Sequence, residues 1–185
     1  MTFDTALLFS MKYEVGHHFD STDPEVIAGL CSTKEQKHKV GYVNDPADSG
    51  GETKFGIAKN ANPTINIRGL GWPGAKMIYS TKYWGPIKGN DLPDKLGICV
   101  FDAAVNHGTK RAIVFLQRAL GLIEDGILGP ATMAKVKAID EKTVITKYLA
   151  IRQKFYNDIV TGNPSQSKFL KGWVTRVMEL ERYIA

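Results

Sequence analysis

"GYVNDPADSGGETKFGIA", residues 41 to 58, is crowded with turn formers yet ends on apolar residues. Four glycines, one proline, one asparagine and three carboxylates fall within it, before Phe55, Gly56 and Ile57 lead back toward a core. The alternation over residues 53 to 58 predicts a short extended piece, so the stretch reads as a small β-hairpin region. Glycines at 50 and 51 let the backbone turn tightly, which would set Asp48 and Thr53 on the rim of a cleft.

The segments on either side read as helices. Asp4 or Thr5 can cap a helix over residues 4 to 15, and Gly16 can end it. Leu7, Met11 and Glu14 share one face of it at i, i+4 and i+7. Glu14 thus sits at the C-terminal end of an apolar stripe, where the helix dipole disfavours an ionised carboxylate. "AKMIYSTKYW" (75 to 84) is a further helix. "LGICVFDAAVNHG" (96 to 108) is apolar almost all round, which marks a buried central helix, with Asp102 and Asn106 four apart on one side. Thr109 starts the next helix and Gly121 closes it. From about Asp125 onward the pattern is helical, with Pro130 in a first turn and helices over 143 to 160 and 167 to 184. The expected fold class is mainly α (α+β): a helical domain over residues 1–108 with one small β-hairpin region, then a helical C-terminal part over 109–185.

Of the 185 residues, 43% are hydrophobic and 23% charged, which fits a folded domain and not a disordered chain. No run approaches the roughly 20 apolar residues of a membrane span. The first residues lack a basic start and a small-residue cleavage site, so the expectation is a protein made in a cytoplasm without a signal peptide. Two cysteines do not make a disulfide framework, and Cys99 reads as a small core residue. A formal charge of +5 points to an anionic partner. Seven Lys/Arg against three Asp/Glu follow from Lys147 to the end, so most of the excess lies there. No nucleic-acid-binding signature accompanies it, which leaves wall polymer or acidic lipid. In the last helix Phe169, Trp173, Val177, Leu180 and Ile184 form an apolar stripe. Lys171, Arg176 and Arg182, with Arg152 and Lys154, would form a basic side able to attract anionic outer-membrane lipid. A monomer is expected.

A carboxylate on an apolar helix end, facing a second on a polar glycine-rich turn, suits glycosidic cleavage. One acid must stay protonated to donate to the leaving oxygen, and the other must stay ionised to hold water or stabilise the cation. At these residues the chain resembles glycoside hydrolase family 108, the phage endolysins with N-acetylmuramidase activity in the lysozyme-like superfamily. That family runs Glu-Gly-Gly-Tyr into Asn-Asp-Pro-x-Asp-x-Gly-Gly-x-Thr-x-x-Gly-Ile. Asn44, Asp45, Pro46, Asp48, Gly50, Gly51, Thr53, Gly56 and Ile57 match the second part. "YSTKYW", "FDAAVNHG", "LQRALGLIEDGILGPAT" and "FLKGWVTRV" are similar to its later segments, and "DGILGPAT" to the peptidoglycan-binding module that follows the catalytic domain.

The resemblance implies Glu14 as general acid, with Asp48 and Thr53 positioning the attacking water, and Tyr42, Asp102 and Asn106 as substrate contacts. Glu25 and Glu35 are alternative positions for the acid. The implied partner is bacterial peptidoglycan, reached from the host cytoplasm once the membrane is breached, and catalysis needs no cofactor. A lytic transglycosylase and a non-catalytic wall-binding protein are the competing readings. One departure stands out. The first half of the motif is split, with Gly41 and Tyr42 following Gly16 only after 24 further residues, 17 to 40. That insertion reads as a polar loop carrying His17, His18, His38 and Cys31, and these four suggest a structural zinc that orders it.

Overall fold

The computed structural model describes residues 2–45 and 51–185. Among these the protein is mainly α: helices α1 (Phe3–Glu14), α2 (Pro24–Ala28), α3 (Lys34–Val40), α4 (Trp72–Tyr79), α5 (Asp94–His107), α6 (Thr109–Leu120), α7 (Pro130–Ala138), α8 (Glu141–Gly162) and α9 (Ser167–Ile184). Strands β1 (Thr53–Lys54) and β2 (Ile57–Ala58) form an antiparallel hairpin, with Thr53 opposite Ala58 and Lys54 opposite Ile57. A π-helical turn, Ser80–Trp84, follows α4. The chain divides into two compact units, residues 7–81 and residues 1–6 with 82–185, so α5 shares its unit with α6 to α9.

In the unit of residues 7–81, the core gathers Leu7, Met11, Val26, Val40, Phe55, Ile67, Trp72 and Tyr79. The segment 17 to 40, expected as a polar loop, instead carries two short helices over half its length. Asp23 accepts from the Glu25 N–H to start α2, and Gly29 ends it in the left-handed region at φ 68°. Thr33 and Gln36 form a reciprocal capping box on α3, which Gly41 ends at φ 59°. The Lys39 ammonium bridges Asp23 (2.9 Å) and Glu25 (2.8 Å), tying α3 to α2. Val26, Cys31 and Val40 bury the apolar side of this segment. Few apolar residues suffice because caps satisfy the helix ends.

In the other unit α5 is buried along most of its length, from Leu96 to Ala104. Its start is capped from a distance: Glu141 Oε1 accepts from the N–H groups of Lys95 (2.9 Å) and Leu96 (3.1 Å). At its middle Asp102, fully buried, accepts from Arg152 Nη1 on α8 (2.7 Å) and Arg176 Nη2 on α9 (2.7 Å). One carboxylate therefore pins three helices together.

Candidate active site

Glu14 is the last residue of α1 and is half-buried. The turn of the hairpin lies against it. Phe55 (φ 52°) and Gly56 (φ 71°) are the two central residues between the paired strands, and both have positive φ, as a type I′ turn demands. Such turns usually take Asn-Gly, because a bulky side chain is strained there. Here the strain is held in place by packing. The Phe55 ring lies 5.7 Å from Trp72 and 6.4 Å from Phe19, centroid to centroid, and Tyr79 Oη donates to the Phe55 carbonyl at 2.9 Å.

Gly56 is required for a second reason. A Cβ built there would stand 2.9 Å from Glu14 Cβ, 2.7 Å from Tyr79 Oη and 3.4 Å from Glu14 Oε2. The glutamate, the turn backbone and the tyrosine hydroxyl thus meet at one point. Strained backbone that surrounding structure over-determines is characteristic of functional sites.

Thr53 lies on this hairpin. Its backbone exchanges both hydrogen bonds with Val43 (2.9 and 2.8 Å), and its hydroxyl donates to the Gly51 carbonyl at 3.3 Å. Tyr42 is largely buried, and its hydroxyl donates to Glu52 Oε1 at 2.7 Å, which pushes the phenol's pKa upward. Gly41 sits against Val15, to whose Cα an added Cβ would come within 3.3 Å. The inserted helices therefore return Gly41 and Tyr42 to the end of α1 after their detour. Asp48 lies outside the described residues.

The two other glutamates near the motif are employed elsewhere. Glu25 accepts from Lys39 Nζ (2.8 Å) and Gln36 Nε2 (3.0 Å), and these bonds hold its pKa below the usual carboxylate value, the opposite of what a proton donor needs. Glu35 projects from the first turn of α3 with 81% of its side chain exposed.

Three expectations need correction. Asp102 is no substrate contact: it is fully buried, and its two arginine partners hold its carboxyl down to about 2 against the cost of burial. Asn106, one turn on, is exposed and accepts from Tyr156 Oη at 3.0 Å. That hydroxyl also meets His107 Nε2 at 3.0 Å, and burial followed by the nearby Arg152 charge pushes His107 down to about 3, so the ring is neutral. The zinc set does not assemble either. Cys31 is buried with Sγ 3.8 Å from the Arg68 carbonyl, His17 is exposed, and the His18 and His38 rings lie nearly parallel at 6.0 Å. Among the described residues no group of three or more His, Cys, Asp or Glu is placed to hold a metal ion. Arg152 and Arg176 are likewise withdrawn from the expected basic side by their bonds to Asp102.

Sequence reading missed Phe55, Gly56 and Tyr79 as parts of the site. The available signal was the Phe-Gly pair between two-residue extended pieces, at the spacing of a two-residue hairpin turn.

Residues 35–108 match the family model of glycosyl hydrolase 108, and residues 111–178 that of a predicted peptidoglycan domain. This chain carries a glycosyl hydrolase 108 domain. It is a glycoside hydrolase, and with the peptidoglycan domain behind it a peptidoglycan-hydrolysing enzyme. Glycosyl hydrolases of this kind need no cofactor. The solved structure of Brucella abortus SagA is similar over 77% of this chain and 84% of its own, at 28% identity and a TM-score of 0.65. Among curated proteins none matches the chain. The glycosyl hydrolase 108 match begins at Glu35, so Glu14 falls before it and its assignment rests on geometry.

Proposed function

We propose that the protein is a muramidase that hydrolyses the β-1,4 bond between N-acetylmuramic acid and N-acetylglucosamine, acting as an endolysin that opens the wall of its host. The observation that carries this reading is Glu14 set against Gly56, on the hairpin that also carries Thr53. Glu14 ends a helix, where the dipole favours the protonated acid, and it is half-buried. It donates its proton to the glycosidic oxygen as the bond breaks. Asp48, assigned from the motif, and Thr53 hold the water that attacks the opposite face of the sugar. The result is inversion, which requires about 6.5–9.5 Å between the two carboxyl groups.

Product analysis on purified peptidoglycan tests the proposal. A new reducing end of inverted configuration is expected. An anhydro-muramic end would identify a lytic transglycosylase, and no product a wall-binding protein. Glu14→Gln should retain the wild-type melting temperature and lose about 10²–10⁴-fold in rate, because an amide cannot supply the proton. Near wild-type cleavage by that variant would transfer the role to another residue.

A further inference from the structure

The glycosyl hydrolase 108 and peptidoglycan-domain matches leave residues 109 and 110 between them, and a groove of about 650 Å³ straddles this junction. Its volume lies within the roughly 300–1,000 Å³ of ligand sites. Ile113 and Leu128, both buried, lie in its lining; Lys88, Lys110 and Ile127 are among its exposed members.

The loop that borders the groove is built, not merely tolerated. Gln117 is buried and spends its whole amide on it: Nε2 donates to Asp125 Oδ1 (2.6 Å) and the Ile127 carbonyl (3.1 Å), and Oε1 accepts from the Gly126 N–H (2.9 Å). The aliphatic stem of Lys110 lies over Gly126, whose added Cβ would come within 2.7 Å of Lys110 Cγ. The outcome is an isoleucine, Ile127, held 66% exposed on a fixed loop. Lys88 is fixed as well, in the left-handed region at φ 47°. Among the described residues neither lysine is ion-paired, whereas the one carboxylate of the lining, Asp125, is already occupied by Gln117 and the Ile127 N–H.

We propose that this groove is a second peptidoglycan site that binds the peptide stem, not the glycan. The inference rests on the peptidoglycan reading given above. Sugar rings are commonly held against aromatic faces, and among the described residues no aromatic side chain lines this groove. Two unpaired ammonium groups beside exposed and buried aliphatic side chains match a short peptide with free carboxylates and alanine methyls.

The test uses the full chain in sedimentation with intact sacculi and with glycan strands stripped of their peptides, and titration with the free alanyl-γ-glutamyl-diaminopimelyl-alanine tetrapeptide. The wild type should bind sacculi at least tenfold better than stripped glycan, and the tetrapeptide should shift backbone NMR signals of 109–113 and 125–129. Lys88→Glu/Lys110→Glu and Ile127→Ser should each weaken both interactions about tenfold or more, with unchanged melting temperature. Lys135→Glu/Lys137→Glu on α7 changes the charge equally and should bind as wild type. Equal retention on sacculi and stripped glycan, or equal loss in both lysine pairs, would overturn the peptide site and leave the peptidoglycan reading standing. Failure of the wild type to bind sacculi would remove both.

Discussion

Replacing Gly56 with alanine tests whether the hairpin turn sets the position of Glu14. Two costs follow from the structure. The backbone at φ 71° is unfavourable for a residue with a Cβ by about 1–2 kcal/mol. The new methyl would also stand 2.9 Å from Glu14 Cβ and 2.7 Å from Tyr79 Oη, where ordinary contact begins near 3.4 Å. The glutamate or the turn must therefore yield by about half an ångström. A misplacement of about 1 Å at a catalytic group costs about 10²-fold, so roughly tenfold is expected here. The stability term alone lowers the melting temperature by about 2–8 °C in a chain of this size. Gly121→Ala separates the two effects, since Gly121 has φ 69° and nothing within 4 Å of an added Cβ. It should lose similar stability and keep its turnover. Release of reducing ends from purified peptidoglycan, measured well below both melting points, reads the rate. Gly56→Ala turning over at the Gly121→Ala rate would show that the turn does not position the acid.

Tyr79→Phe removes the hydroxyl that holds the strained Phe55 carbonyl, and should cost about 1 kcal/mol with a measurable loss of kcat; an unchanged kcat would confine Tyr79 to packing. Asp102→Asn leaves two buried guanidiniums uncompensated and should destabilise by about 3–5 kcal/mol in denaturant titration, against little change for a surface charge. In the wild type the same carboxyl, lowered from its ordinary 3.8 to about 2, stabilises the fold by about 2 kcal/mol. Because its folded pKa is the lower one, that stability is complete above about pH 4 and is lost as pH falls through about 2; a melting temperature flat over that range in the wild type would contradict it. Thr33→Ala opens the capping box of α3 and should cost about 1 kcal/mol, whereas EDTA should leave the melting temperature unchanged; a fall on chelation would restore a metal to the inserted segment.

Local pattern carried the reading where local forces decide. The end of α1 at Glu14 and the extended pieces around residues 53 to 58 were legible because periodicity and turn residues lie within a few positions of one another. The tight turn expected at Gly50 and Gly51 falls partly outside the described residues, and a second reversal, at Phe55 and Gly56, was not expected. A bulky residue at positive φ is stabilised by Trp72, Phe19 and Tyr79, partners too distant in sequence to be read from a local window. Asp102 was misread for the same reason: its spacing from Asn106 suggested a shared polar face, but its partners lie 50 and 74 residues onward. The segment 17 to 40 looked polar because its helices are short and sparsely apolar. Capping at Asp23 and Thr33 supplies the order that composition withheld.

The ion cluster around Asp102 also changes how the protein meets a charged envelope. Arg152 and Asp102 are wholly shielded from solvent and Arg176 nearly so, and Lys54 in the hairpin is enclosed by the carbonyls of Gly29 and Arg68. These four side chains together carry two positive charges of the formal +5, so solvent-facing groups supply about +3. Long-range attraction to an anionic polymer depends on that smaller number and is damped beyond about 8–10 Å at physiological ionic strength. Approach to the wall should then respond only gently to salt, and retention there must come from short-range complementarity and not from bulk charge.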